Sequence, residues 1–139
     1  MTTRIDWCLD GFSKLKVKNI LESSSIHQAM ASARRKVKEN LPYDALDICE
    51  DILEKFPMHR DSKNLIKDIR SDPSSNLLAE ETFQQGNSLY QRGDLEEALI
   101  FFKKSVRICP DHFKSYFNIA VVFQNTGHLV DAIENYLQV

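Results

Sequence analysis

Apolar residues in the C-terminal half of the chain recur at helical spacing. Ala98, Leu99, Phe102 and Val106 fall 3, 4, 7 and 11 positions after Leu95, the stripe that one face of a helix presents. This predicts a helix over residues 95–108. Pro110 cannot continue it and biases Cys109 away from helical angles. Upstream, residues 77–91 are rich in helix formers, and Gly93-Asp94 supplies the turn that ends them. Downstream, Asp111 is expected to cap a helix over 112–125, its carboxylate accepting from the orphan amides of the first turn. Thr126-Gly127-His128 then turns the chain, and a last short helix begins near Leu129.

The N-terminal half carries the same pattern less clearly. Ala29, Met30, Ala33 and Val37 share one side of a helix, and Ser25-x-x-Gln28 resembles the capping box that would open it. Asn40-Leu41-Pro42 breaks that helix. A second is predicted over 43–56, with Ala45, Ile48, Cys49, Ile52 and Phe56 on one face. A further helix over 60–70 and a loop over 71–75 follow. Residues 1–25 are left as an N-terminal segment, within which Lys14 to Lys18 alternate as a strand would, although the neighbourhood is helical.

The elements repeat. Shifted by 34 residues, Ala79 falls on Phe113, Gly86 on Ala120, Leu89 on Phe123, Gly93 on Gly127, Ala98 on Ala132 and Phe102 on Tyr136. A degenerate copy lies upstream. Pro57 matches Pro110, Ala45 matches Ala98, Cys49 matches Phe102 and Ala33 matches Gly86. The spacing there is 53 residues, the period plus 19, which makes room for the additional helix. The expected organisation is a degenerate repeat over 26–58, an extra helix and loop over 59–75, a repeat over 76–111 and an incomplete one over 112–139.

A period of helix, turn and helix with small, aromatic, Ala and Pro landmarks resembles the tetratricopeptide repeat. On that family's pattern the middle unit matches at Gly86, Ala98, Phe102 and Pro110. Leu89 replaces a tyrosine, and Thr82 and Gln85 depart from the usual Trp and Leu. The last unit offers Tyr116, Ile119, Ala120, Phe123, Ala132 and Tyr136. The resemblance implies an all-α protein, an α-solenoid of antiparallel helix pairs in which the first helix of each pair lines a concave face. It places Glu80, Phe83, Gln84, Asn87 and Gln91, then Lys114, Phe117, Asn118, Val121, Gln124 and Asn125, on that face. Side-chain amides there can bond a peptide backbone without demanding its sequence, and phenylalanines offer anchors. Asn118 stands where many members hold a backbone-binding asparagine. Phe83 stands where the chaperone-tail binders need a lysine, so an acidic-tail clamp is not expected.

Composition narrows the alternatives. Of 139 residues, 42% are hydrophobic and 27% charged, with only 4 Gly and 4 Pro, too few breaks for many short strands. The longest apolar runs, Ala98–Phe102 and Ile119–Phe123, are far below a membrane span. No leader of signal-peptide type is visible, so a cytoplasmic location is expected. Cys8, Cys49 and Cys109 form neither a zinc pattern nor a disulfide framework. Residues 1–38 hold eight Lys/Arg against three Asp/Glu, whereas 39–139 hold ten against seventeen. The basic run Arg34-Arg35-Lys36-x-Lys38 lacks the interleaved aromatics of a nucleic-acid surface and reads as a solvated helix face.

Catalytic chemistry is not indicated. His59-Arg60-Asp61 echoes a kinase loop, but Ser62 and Ile66 occupy the places of the required Leu and Asn; it reads as the capped start of a helix. His27, His112 and His128 lack metal-ligand spacing and are expected at the surface. Cys49 and Cys109 read as small packing residues. No enzyme, cofactor or metal is therefore expected, and the partner is a protein or peptide rather than nucleic acid or membrane. Two alternatives remain. Such arrays also resemble the N-terminal parts of bacterial glycosyltransferases, sulfotransferases or methyltransferases, with the chain continuing past Val139. Otherwise the open C-terminal helix, through Ile133, Tyr136 and Leu137, joins copies of the chain into a homo-oligomer.

Overall fold

A computed structural model describes residues 26–139, which hold seven helices and no strand. The strand-like stretch near Lys14, the Ser25 cap and Cys8 lie outside the described residues. The helices are α1 (Ile26–Lys38), α2 (Pro42–Lys55), α3 (Arg60–Ser71), α4 (Pro73–Arg92), α5 (Leu95–Ile108), α6 (Phe113–Asn125) and α7 (Leu129–Tyr136). α1 pairs with α2, α4 with α5 and α6 with α7, while α6 also packs on α5. The fold is all-α, of the α-solenoid class. Two compact units divide between Asp68 and Ile69.

Three left-handed residues make the hairpins. Asn40 (φ 60°), Gly93 (φ 88°) and Gly127 (φ 82°) each end the first helix of a pair. At Gly93 the amide donates to the Tyr90 carbonyl at 3.0 Å, and the Asp94 amide donates to Leu89 at 3.0 Å. This double bond satisfies the orphan carbonyls of the last turn. Leu41 to Lys36 (2.9 Å) and His128 to Phe123 (2.8 Å) repeat it. Glycine adopts this conformation freely, and asparagine is among the few others that tolerate it.

Elsewhere helix starts differ from the sequence expectation. The loop over 71–75 does not exist: Asp72 caps α4 by accepting from the Ser74 amide at 2.8 Å, and Pro73 is its first helical residue. Proline suits that place because its missing N–H would be unpaired there anyway. Pro42 likewise opens α2 instead of merely breaking α1. At α6 the cap is His112, not Asp111. The helix begins one residue later than expected, so Asp111 lies outside it and only its carbonyl serves, accepting from the Phe113 amide at 2.9 Å.

In the first unit Ala29, Met30 and Ile52 form a core, against which Ile26, Ile48 and Leu65 pack. Ser62 is fully buried and donates its hydroxyl to the Met30 sulfur at 3.3 Å, which ties α3 to α1. The basic run on α1 is a paired surface: Arg34 meets Asp61, and Lys36 meets both Glu39 and Asp44.

In the second unit the core is Phe83, Leu89, Ala98, Phe102, Ile119 and Val122. At Gly86 α4 lies directly against α5, with no room for a side chain. A methyl group placed on it would lie 2.6 Å from Phe102 Cε1. The buried Ser105 hydroxyl donates to the Ala79 carbonyl at 2.8 Å, so this buried polar group is satisfied. Arg70 Nε donates to the Arg107 carbonyl at 2.9 Å, capping the end of α5.

Candidate functional site

The second unit exposes one face built from α4 and α6, the first helices of its two pairs. Gln84, Gln91, Lys114, Phe117, Gln124 and Asn125 are exposed on it; Glu80, Asn87, Asn118 and Val121 are half-buried. Phe83 departs from the expectation. It is buried, with its ring 5.7 Å from that of Phe102 and 5.1 Å from that of His112. Helical spacing puts Phe83 next to Glu80, Gln84 and Asn87, but its bulk fills the gap between α4 and α5 and cannot also face solvent.

The predicted amides bond across the two helices. Asn118 Nδ2 donates to Asn87 Oδ1 at 2.7 Å, a bond that does not use the Asn87 amide hydrogens as donors or the Asn118 oxygen as an acceptor. Further along the same two helices, Asn125 Nδ2 donates to the Tyr90 hydroxyl at 3.0 Å. The Tyr136 hydroxyl donates to Gln124 Oε1 at 2.8 Å, and the Phe117 ring stands edge-on to Tyr136 with centroids 5.7 Å apart. Tyr90 and Tyr136 were not anticipated as members of this face. Tyr136 matches Phe102 in the repeat, and that equivalence reads it as core.

The other end of the face is ionic. Glu80 Oε1 accepts from Gln84 Nε2 at 2.8 Å, while Oε2 lies 3.0 Å from His112 Nε2 and 3.6 Å from Lys114 Nζ. The Gln84 amide first, then His112 and Lys114, hold the Glu80 carboxyl below its ordinary range. His112 is thus no isolated surface histidine: its side chain is 12% exposed, and its Nδ1 sits 2.8 Å from the buried Ser115 hydroxyl. The same device opens α3, where His59 Nδ1 accepts from the Ser62 amide at 3.2 Å. The signal was present in the sequence as Pro-x-His-x-x-Ser at 57–62 and again at 110–115. Although Ser115, His112 and Glu80 follow one another by hydrogen bonds as a catalytic triad would, the Ser115 hydroxyl is inaccessible and the trio fastens a helix start.

Cys49 is enclosed in the first unit, and burial, with Glu50 adding to it, pushes its thiol up to about 11. It is a packing residue. Cys109 is half-buried, with Sγ 3.4 Å from Asn76 Oδ1. Among the described residues no group of three or more His, Cys, Asp or Glu could hold a metal ion, and no helix is long and apolar enough to cross a membrane.

Paired helices with left-handed caps, a small residue at the crossing and one amide-lined face define a helical-repeat scaffold. The tetratricopeptide-repeat model matches residues 86–127, and the chain contains a tetratricopeptide repeat there. In its coarse role it is a protein–protein interaction module. Among solved structures, the crystal structure of MamA is similar at a TM-score of 0.44 and 13% sequence identity, with 99% of this chain and 90% of that chain covered. No curated protein matches the sequence.

Proposed function

We propose that the α4–α6 face binds an extended peptide segment of a partner protein. The observation that carries this reading is the Asn87–Asn118 pair. Locked to one another, the two amides present one donor and one acceptor, the complement of a peptide group. Fixing them before binding removes part of the ordering cost that two free side chains would impose. Gln84, Gln91, Lys114, Val121 and Asn125 flank the pair along the two helices and extend the contact. Purified chain carrying Asn87→Ala with Asn118→Ala should lose a partner that the unaltered chain retains in a pull-down. Retention at equal strength would remove the face from the site.

A second reading has its own observation. Leu129, Val130 and Ile133 on α7, with Leu137 and Val139 just after it, are all exposed. An apolar stripe of this kind marks a contact surface. It supports association of two copies through α7. Light scattering of the chain across a wide concentration range tests it, and a monomer at every concentration would overturn it.

A further inference from the structure

The chemistry of the α4–α6 face also restricts which peptide it takes, an inference that rests on the reading of that face as a peptide site. Its ionisable groups cancel. Glu80 is satisfied by Gln84, His112 and Lys114 together, and the Lys114 ammonium lies 3.6 Å from the Glu80 carboxylate. Every other polar group named on it is neutral: the amides of Gln84, Asn87, Gln91, Asn118, Gln124 and Asn125 and the hydroxyls of Tyr90 and Tyr136. An acidic segment would find a single cation already paired, and a basic one a single carboxylate already held by three donors. Either would lose hydration of its charges with nothing to replace it.

One end of the face is apolar instead. Phe117 is 48% exposed, although its ring has an edge-on partner in Tyr136. The Tyr136 hydroxyl is tied to Gln124, which fixes the ring beside it. Ile133, one turn back from Tyr136 on α7, is exposed and continues the apolar surface. A rigid aromatic pair flanked by an aliphatic side chain is the kind of seat on which one large apolar side chain anchors. Phe117 and Asn118 are successive residues of α6, about 100° apart around its axis, the first meeting Tyr136 on α7 and the second Asn87 on α4.

We infer that the ligand is a neutral, extended peptide segment in which the Asn87–Asn118 pair holds the backbone and one aromatic or branched aliphatic side chain packs on Phe117, Tyr136 and Ile133.

Immobilised chain is exposed to four synthetic decapeptide pools on one Ser/Thr/Gln background: a single Phe or Leu, no apolar residue, an added acidic tail, and added lysines. The neutral pool with Phe or Leu should be retained most strongly. Phe117→Ala should weaken that retention about tenfold or more, with helical circular dichroism unchanged because the side chain is half in solvent. Stronger retention of the acidic or basic pool, or no change in Phe117→Ala, would overturn this specificity while leaving a peptide site in place. Retention of no pool would overturn the peptide site itself.

Discussion

α3 and α7 differ in the residues they expose. α3 buries Ser62, Ile66 and Ile69 and turns Arg60, Asp61, Lys63, Asn64, Lys67 and Asp68 to solvent. α7 buries only Ala132 and exposes Leu129 (61%), Val130 (71%) and Ile133 (59%), with Leu137 (78%) following. The repeat explains part of this contrast. Leu129 and Ile133 match Leu95 and Leu99 on α5, which are half-buried and pack on the core of the second unit. Val130 and Leu137 go further, because they stand where α5 carries the exposed Glu96 and Lys103. A helical pair needs a third helix on its open side, and that helix needs a polar back if nothing lies beyond it. For α1 and α2 that helix is α3, through Ser62 and Leu65, and its other side is polar. α7 has an outer surface suited to contact.

The largest expected effect tests the closed side. Met30→Ala removes the side chain on which Ile52, Leu65 and the Ser62 hydroxyl converge, and should cost ~2–5 kcal/mol of unfolding free energy in urea. A loss below ~0.5 kcal/mol would mean that α3 does not hold the first unit together. Next comes the contact of Gly86 with Phe102 in the second unit. Gly86→Leu forces a side chain into Phe102, and we expect a loss of ~1–3 kcal/mol, read as a lower thermal midpoint. An unchanged midpoint would contradict the repeat register.

On the open side the sign of the result matters more than its size. Ile133→Lys with Leu137→Lys should leave thermal stability within ~0.5 kcal/mol, since both side chains are exposed. Self-association seen by light scattering should be abolished. Thiol chemistry separates the units by rate. In a Cys8→Ser background at pH 8, iodoacetamide should modify Cys109 well before Cys49, whose thiol is held protonated by burial; equal rates would show that α2 is not enclosed.

The smallest effect is electrostatic. Because the fold lowers the Glu80 pKa from 4.5, the carboxylate's contribution is fully present above that value. It is lost as pH falls through the lower, folded value. Glu80→Gln should therefore lose that small contribution at neutral pH and flatten the acid side of the stability profile, so that the two chains converge as pH falls below 4.5. An unchanged acid limb would show that Glu80 is not held by Gln84, His112 and Lys114.

Much of the fold was legible because it rests on local chemistry. The Gly93 and Gly127 turns, the stop at Pro110 and the spacing of Ala98 and Phe102 each follow from backbone freedom or from one helix face, without reference to a neighbour. The α5 limits agree with the expectation residue for residue, and α3 lies within a residue of it. The differences at helix starts are the Asp72 cap of α4, which replaces an expected loop, and the His112 position at α6, where Asp111 was the expected cap. A carboxylate in the right place is a good candidate by type, but which residue occupies the cap is settled by where the preceding turn delivers the chain.

The candidate site was half legible. Helical periodicity names the residues of one face, yet α4 has two faces in use, one toward α5 and one toward solvent. Only the crossing of α4 with α5 decided that Phe83 belongs to the first and Asn87 to the second. The bonds of Asn87 to Asn118, Tyr90 to Asn125 and Glu80 to His112 join residues 31, 35 and 32 positions apart. Such pairs depend on the separation and rotation of two helices, which no local pattern encodes. By itself the sequence determined a helical repeat, its 34-residue register and the turns that close each hairpin, because these are properties of short stretches of backbone. The tertiary structure alone decided which amides are locked together, which phenylalanine is core and which helix is left with an apolar outer surface, because each depends on what a neighbouring helix covers.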